Sequence, residues 1–151
     1  MGRTMMNGTW WVSTHQMKPR QSLHTSSDSC LSLTRKWLDD CIQKDRSCAS
    51  TGSGFLPTRL LDVGHSTSSR TIRLAMSHVL PTDAPYLTLS YCWGRGKPLV
   101  LTGTSLLNFL EEIDTTSLPK TIADGVDITQ RLSHRYLWVD SLCIIQDSKD
   151  D

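Results

Sequence analysis

The chain predicts an α/β fold: a parallel sheet with flanking helices, preceded by a short helix and a β-hairpin. Three observations carry this. Residues 86–93 and 136–145 are apolar runs rich in Tyr, Leu, Trp, Val and Ile, and each ends in glycine or polar residues, as buried strands do. Two helical patterns lie between them, and a strand–helix–strand crossover joins parallel strands. Upstream, two short strand-like segments flank a turn.

Taken in order, residues 1–30 have no sustained periodicity, with Trp10 and Trp11 as their one strongly apolar point. They predict a disordered leader. Over residues 33–44, Leu33, Trp37, Leu38, Cys41 and Ile42 recur at helical spacing. Ser32 or Thr34 could cap that helix. Residues 56–63 and 71–76 read as the hairpin strands, and Pro57 near the start is tolerated there. Together, residues 31–85 form a lead-in of helix and hairpin. The two-face-covered strand at 86–93 follows, with 99–101 as a further short strand. Leu106, Leu107, Leu110 and Ile113 stripe a helix over 104–113. A third helix starts at Pro119, whose ring pre-sets φ. It carries Ile122, Val126 and Thr129 on one stripe and ends at Ser133-His134. Asp124 and Asp127 face solvent on it, within reach of nearby bases. The second apolar strand closes the series.

A chain of 151 residues predicts one domain. A net charge of +1 gives no general attraction to nucleic acid or anionic membrane. No apolar run is long enough to span a bilayer, and residues 1–13 lack the apolar core of a secretory signal. The expectation is therefore the reducing cytoplasm, with no membrane or nucleic-acid partner. The odd set of five cysteines agrees with free thiols. Cys92 and Cys143, inside apolar runs, read as core residues, and Cys41 and Cys48 lack the spacing of a zinc site.

Candidate site residues fall where the two runs end, since open parallel sheets bind ligands beyond the carboxyl ends of their strands. They are Ser90, Tyr91, Trp93, Gly94, Arg95, Asp140 and Ser141. Asp140 interrupts an apolar run. It reads either as a structural carboxylate bonded to loop N–H groups or as a ligand contact at the rim. Trp93 reads either as a plug before the Gly94 turn or as a flat face for a base or nicotinamide ring. Ser90 has no relay partner and no nucleophile elbow. Gly94-Arg95-Gly96-Lys97 lacks phosphate-loop spacing. No complete catalytic set is legible, and no resident cofactor is expected.

The strings Leu89-Ser90-Tyr91-Cys92-Trp93-Gly94, Leu118-Pro119-Lys120-Thr121-Ile122-Ala123-Asp124 and Arg135 to Asp147 carry a resemblance. In that order and spacing they are similar to the heterokaryon-incompatibility (HET) domain of filamentous fungi, over about residues 33–150. The resemblance implies a cytoplasmic protein of nonself recognition and programmed cell death, with other incompatibility proteins or a second copy as partners. It also implies a TIR-like, flavodoxin-like sheet, and NAD as substrate of a full-length domain that draws on a glutamate of a later helix. Two departures stand out: Gly125 where the family has Ala, and Ser133 where it has Gly. The stretch 86–151 then corresponds to the first part of such a domain, and a truncated chain is expected, one that turns over no NAD by itself. A non-enzymatic interaction module remains the other reading.

Overall fold

The computed structural model describes residues 24–45, 55–65, 71–94 and 99–151. The leader expected over residues 1–30 lies outside these up to residue 23, as do Arg95 and Cys48. The elements are α1 (Asp28–Lys44), β1 (Arg59–Asp62), β2 (Thr71–Met76), β3 (Tyr86–Leu89), α2 (Leu106–Glu111), β4 (Ile113–Asp114), α3 (Lys120–Arg131), β5 (Tyr136–Val139) and the single turn α4 (Asp140–Cys143). Short 3₁₀ turns follow β2 and β4.

The architecture is α/β, but the sheet is mixed rather than parallel. Its five strands run in the order β3-β5-β1-β2-β4. Among the described residues only β3 and β5 pair in parallel, with Tyr86 opposite Tyr136 and Leu89 opposite Val139. The hairpin β1–β2 joins the same sheet by antiparallel pairing with β5, Leu61 opposite Leu137. The antiparallel pairing of β1 with both β5 and β2 makes the sheet mixed. The 86–93 strand is also shorter than expected and lies at the sheet edge, with Thr88 exposed. It is therefore not covered on both faces.

The main core gathers Leu61, Ile72, Leu74, Ile122, Val126, Leu137, Val139 and Leu142 between the sheet and the helices. Helix α3 supplies Ile122 and Val126 one turn apart, the spacing that places both on one face. Gly125 lets α3 approach the sheet closely. A Cβ there would stand 3.1 Å from Leu89 Cδ2, so the departure from Ala has a packing reason. Ser133 is left-handed at φ 63°. The His134 N–H donates to the Thr129 carbonyl (3.0 Å) and the Ser133 N–H to the Gln130 carbonyl (2.9 Å). This is the two-bond helix end that ordinarily takes glycine.

Several boundaries differ from expectation. Helix α1 begins five residues early because Ser27, not Ser32 or Thr34, accepts from the Cys30 N–H. Pro119 is the cap of α3 rather than its first helical residue. Ile113 leaves its helix to pair with Ile72 in β4. Leu99 to Leu101 form no strand, although the Leu101 N–H donates to the Ser141 carbonyl at 2.8 Å. Among the described residues, no helix is long and apolar enough to cross a membrane.

Candidate functional site at the strand tips

Parallel pairing brings the ends of β3 and β5 together, since Leu89 and Val139 are register partners. Beyond Leu89 the chain continues as a loop through Ser90, Tyr91, Cys92, Trp93 and Gly94. Gly94 turns it at φ 73°, a value glycine adopts without cost. Beyond Val139 the chain turns into α4 instead of continuing the expected strand to residue 145. The Asp140 carboxylate accepts from the Ser141 N–H at 2.7 Å, and the Ile144 N–H closes the turn onto the Asp140 carbonyl at 3.1 Å. An acidic residue in a first turn favours that choice.

Two side-chain bonds then join the loop to α4. Trp93 Nε1 donates to Asp140 Oδ2 at 2.9 Å. The Tyr91 hydroxyl and Ser141 Oγ share a bond of 2.8 Å. Ser141 is fully buried. Gln146 Nε2 donates to the Asp140 carbonyl at 3.2 Å, and Asp147 accepts from the Gly103 N–H at 2.8 Å. Four of the seven candidates, Tyr91, Trp93, Asp140 and Ser141, thus converge on one network, with Gly94 setting the turn. Ser90 is exposed and takes no part in it, and Arg95 lies outside the described residues.

The chemistry available is limited by these bonds. Both Asp140 oxygens already accept from neutral donors, one from another segment and one from its own turn. Ser141 is bonded to a phenol hydroxyl rather than to a histidine or carboxylate base. Trp93 remains 38% exposed, so its indole presents a face at the rim. Cys143 is buried, and burial pushes its thiol up to about 11, with the bond from the Val139 N–H opposing that rise. It behaves as a core hydrophobe. Cys92, expected in the core, is exposed because β3 has ended before it.

A second polar cluster was not singled out from the sequence. Asp62, 7% exposed at the end of β1, receives both Arg135 Nε and an Arg135 terminal nitrogen at 2.8 Å. Gly64 N–H adds a bond at 3.2 Å, and Arg73 stands at 3.5 Å. Burial alone would raise the Asp62 carboxyl. The Arg135 bonds, the Gly64 N–H and the charges of Arg135 and Arg73 outweigh it and hold the group below its ordinary value. Asp62 reciprocally raises Arg135, whose guanidinium also lies 5.4 Å from the Tyr136 ring centre. The signal was present: an Asp ending the apolar run Leu60-Leu61 requires a partner once buried. A buried Arg59 likewise donates to the Cys143 carbonyl at 2.9 Å and pairs with Asp151. Among the described residues, no group of three His, Cys, Asp or Glu is arranged to hold a metal.

Residues 86–151 match the family described as Heterokaryon incompatibility protein (HET). No curated protein and no solved structure matches the chain. The matched span holds β3, β5, both strand-tip segments and the network between them. On that match, residues 86–151 carry part of a heterokaryon-incompatibility (HET) domain.

Proposed function

We propose that this protein serves the fungal heterokaryon-incompatibility response, the nonself recognition that ends in programmed cell death. We further propose that it acts in the cytoplasm, and that its strand-tip network is one wall of the effector site. The observation behind this reading is the Trp93–Asp140 bond. It ties together the two segments that carry the family resemblance, at the edge where open sheets place their sites. The test is induced expression, in a filamentous fungus, of the gene that encodes this chain. Wild type is expected to lower viability, Asp140→Ala and Trp93→Phe to relieve the loss, and Lys44→Ala, exposed on α1 outside the matched span, to leave it intact. Equal toxicity of all four would remove the strand tips from the function.

A second reading is favoured by the exposed indole of Trp93 beside a carboxylate. An indole face of this kind stacks on a nicotinamide or adenine ring. In that reading the domain is a TIR-like NAD hydrolase, and the missing catalytic group comes from elsewhere in the domain. Residues 1–151 alone are then expected to release no nicotinamide from NAD. Release by the purified chain, measured by chromatography, would contradict that expectation. Where neither the chain nor its gene product consumes NAD and toxicity persists, signalling works through contact with other incompatibility proteins or a second copy.

A further inference from the structure

A cavity of about 490 Å³ runs beside β2, away from the strand tips. Its volume lies within the range of small-molecule sites, roughly 300–1,000 Å³. Met76, Val79, Leu80 and Leu110 give it apolar walls, and Arg73 and Arg135 stand at its charged end. The sheet register explains why both charges meet there. Asp62 is the register partner of Arg73 on one side and of Tyr136 on the other, so Arg73 and Asp62 lie in one row with Tyr136, and Arg135 enters beside that row from the preceding residue. Arg135 occupies both oxygens of Asp62 at 2.8 Å, whereas Arg73 reaches one of them only at 3.5 Å. The Arg73 side chain is 58% exposed. Two guanidinium groups therefore line the cavity, and among the described residues the only carboxylate lining it is already committed to Arg135. A smaller neighbouring cavity of about 250 Å³ shares this row but adds Glu111 and Glu112, which makes it unfavourable for an anion. Both arginines line both cavities, and in the larger one they are joined by the apolar walls.

We propose that this cavity binds a small organic anion, a carboxylate on an apolar body, with Arg73 holding the carboxylate and the wall from Met76 to Leu80 covering the body. A guanidinium fork matches a carboxylate in two parallel hydrogen bonds. The site is independent of the strand-tip reading and stands or falls separately. Octanoate is the probe, titrated into the isotope-labelled protein and followed through backbone amide signals. Saturable shifts of residues 73–80 and 135–136 are expected. Arg73→Gln should weaken the apparent affinity at least tenfold, whereas Lys120→Gln should leave it unchanged. 1-Octanol and inorganic phosphate test the two halves of the ligand and should each bind at least tenfold more weakly than octanoate. The proposal is overturned if octanoate shifts these signals without saturation, if Arg73→Gln binds as wild type, or if either half-ligand binds as well as octanoate. Arg73 is exposed and makes one long contact, so its variant keeps the fold. An unchanged amide spectrum before titration checks this.

Discussion

Asp62, the last residue of β1, and Asp140, the first residue past β5, are held in opposite ways. Asp62 is buried and clamped by a guanidinium through two bonds of 2.8 Å, with its carboxyl lowered. Asp140 is half-buried and accepts from neutral donors, the Trp93 indole and the Ser141 N–H. The first arrangement is expensive to break, since removing the cation strands a buried charge. The second can exchange its indole donor for another donor at the cost of one hydrogen bond. The sheet is therefore pinned at Asp62, while the contact at Asp140 is open to replacement by a ligand or partner.

The largest expected effect comes from breaking the clamp. Arg135→Met should lower stability by about 2 kcal/mol, toward the low end for a broken buried pair because Arg135 is partly exposed. Chemical denaturation at neutral pH measures it. The clamp also has a sign in pH. The folded carboxyl of Asp62 lies below its unfolded value of about 3.9. Its contribution is therefore complete above that value and is lost as pH falls through the lower folded value. Wild type should lose stability on acidification below about pH 4, and Arg135→Met should lose less over the same range. An equal loss in both would mean that other carboxylates carry the acid sensitivity.

At the strand tips the effects should be smaller. Ser141→Ala removes the partner of the half-buried Tyr91 hydroxyl and should cost about 1 kcal/mol. A cost near that of Arg135→Met would erase the contrast between the two regions. Ser133→Gly should raise stability by about 0.5–1 kcal/mol, since a left-handed serine carries strain that glycine lacks. Ser133 lies two residues before Arg135, so the gain also reports how firmly the entry to β5 is set. The smallest change is expected for Gly125→Ala. A helix-propensity gain near 1 kcal/mol is opposed by the 3.1 Å approach to Leu89, which supports the strand-tip loop. The net effect should stay within about 0.5 kcal/mol, and a larger loss would show that Leu89 cannot give way.

Much of this was readable from residue order. The α/β class, the parallel pairing of the two apolar runs and the β1–β2 hairpin follow from short apolar segments separated by helical stripes. The end of the helix at Ser133 was legible too, whereas its left-handed backbone, where the resemblance has glycine, came from the structure. The mixed sheet was not legible, because nothing local in Leu60-Leu61-Asp62 tells which strand will lie beside it. The turn of α4 was hidden for a different reason. Ser141, Leu142 and Cys143 are all buried, so their burial shows no period, and a fully buried helical turn and a fully buried strand look alike in sequence. The same error in strand length placed Cys92 in the core. The site candidates were close to the network because the two runs end together. Asp62 was passed over because its partner lies 73 residues away.

The central claim is that Trp93 and Asp140 join the two HET segments through a direct bond. A double-mutant cycle in stability, with Trp93→Phe, Asp140→Ala and the pair, tests it most directly. The bond predicts a coupling of about 1 kcal/mol between the two positions. Additivity of the two single changes to within about 0.3 kcal/mol would contradict it.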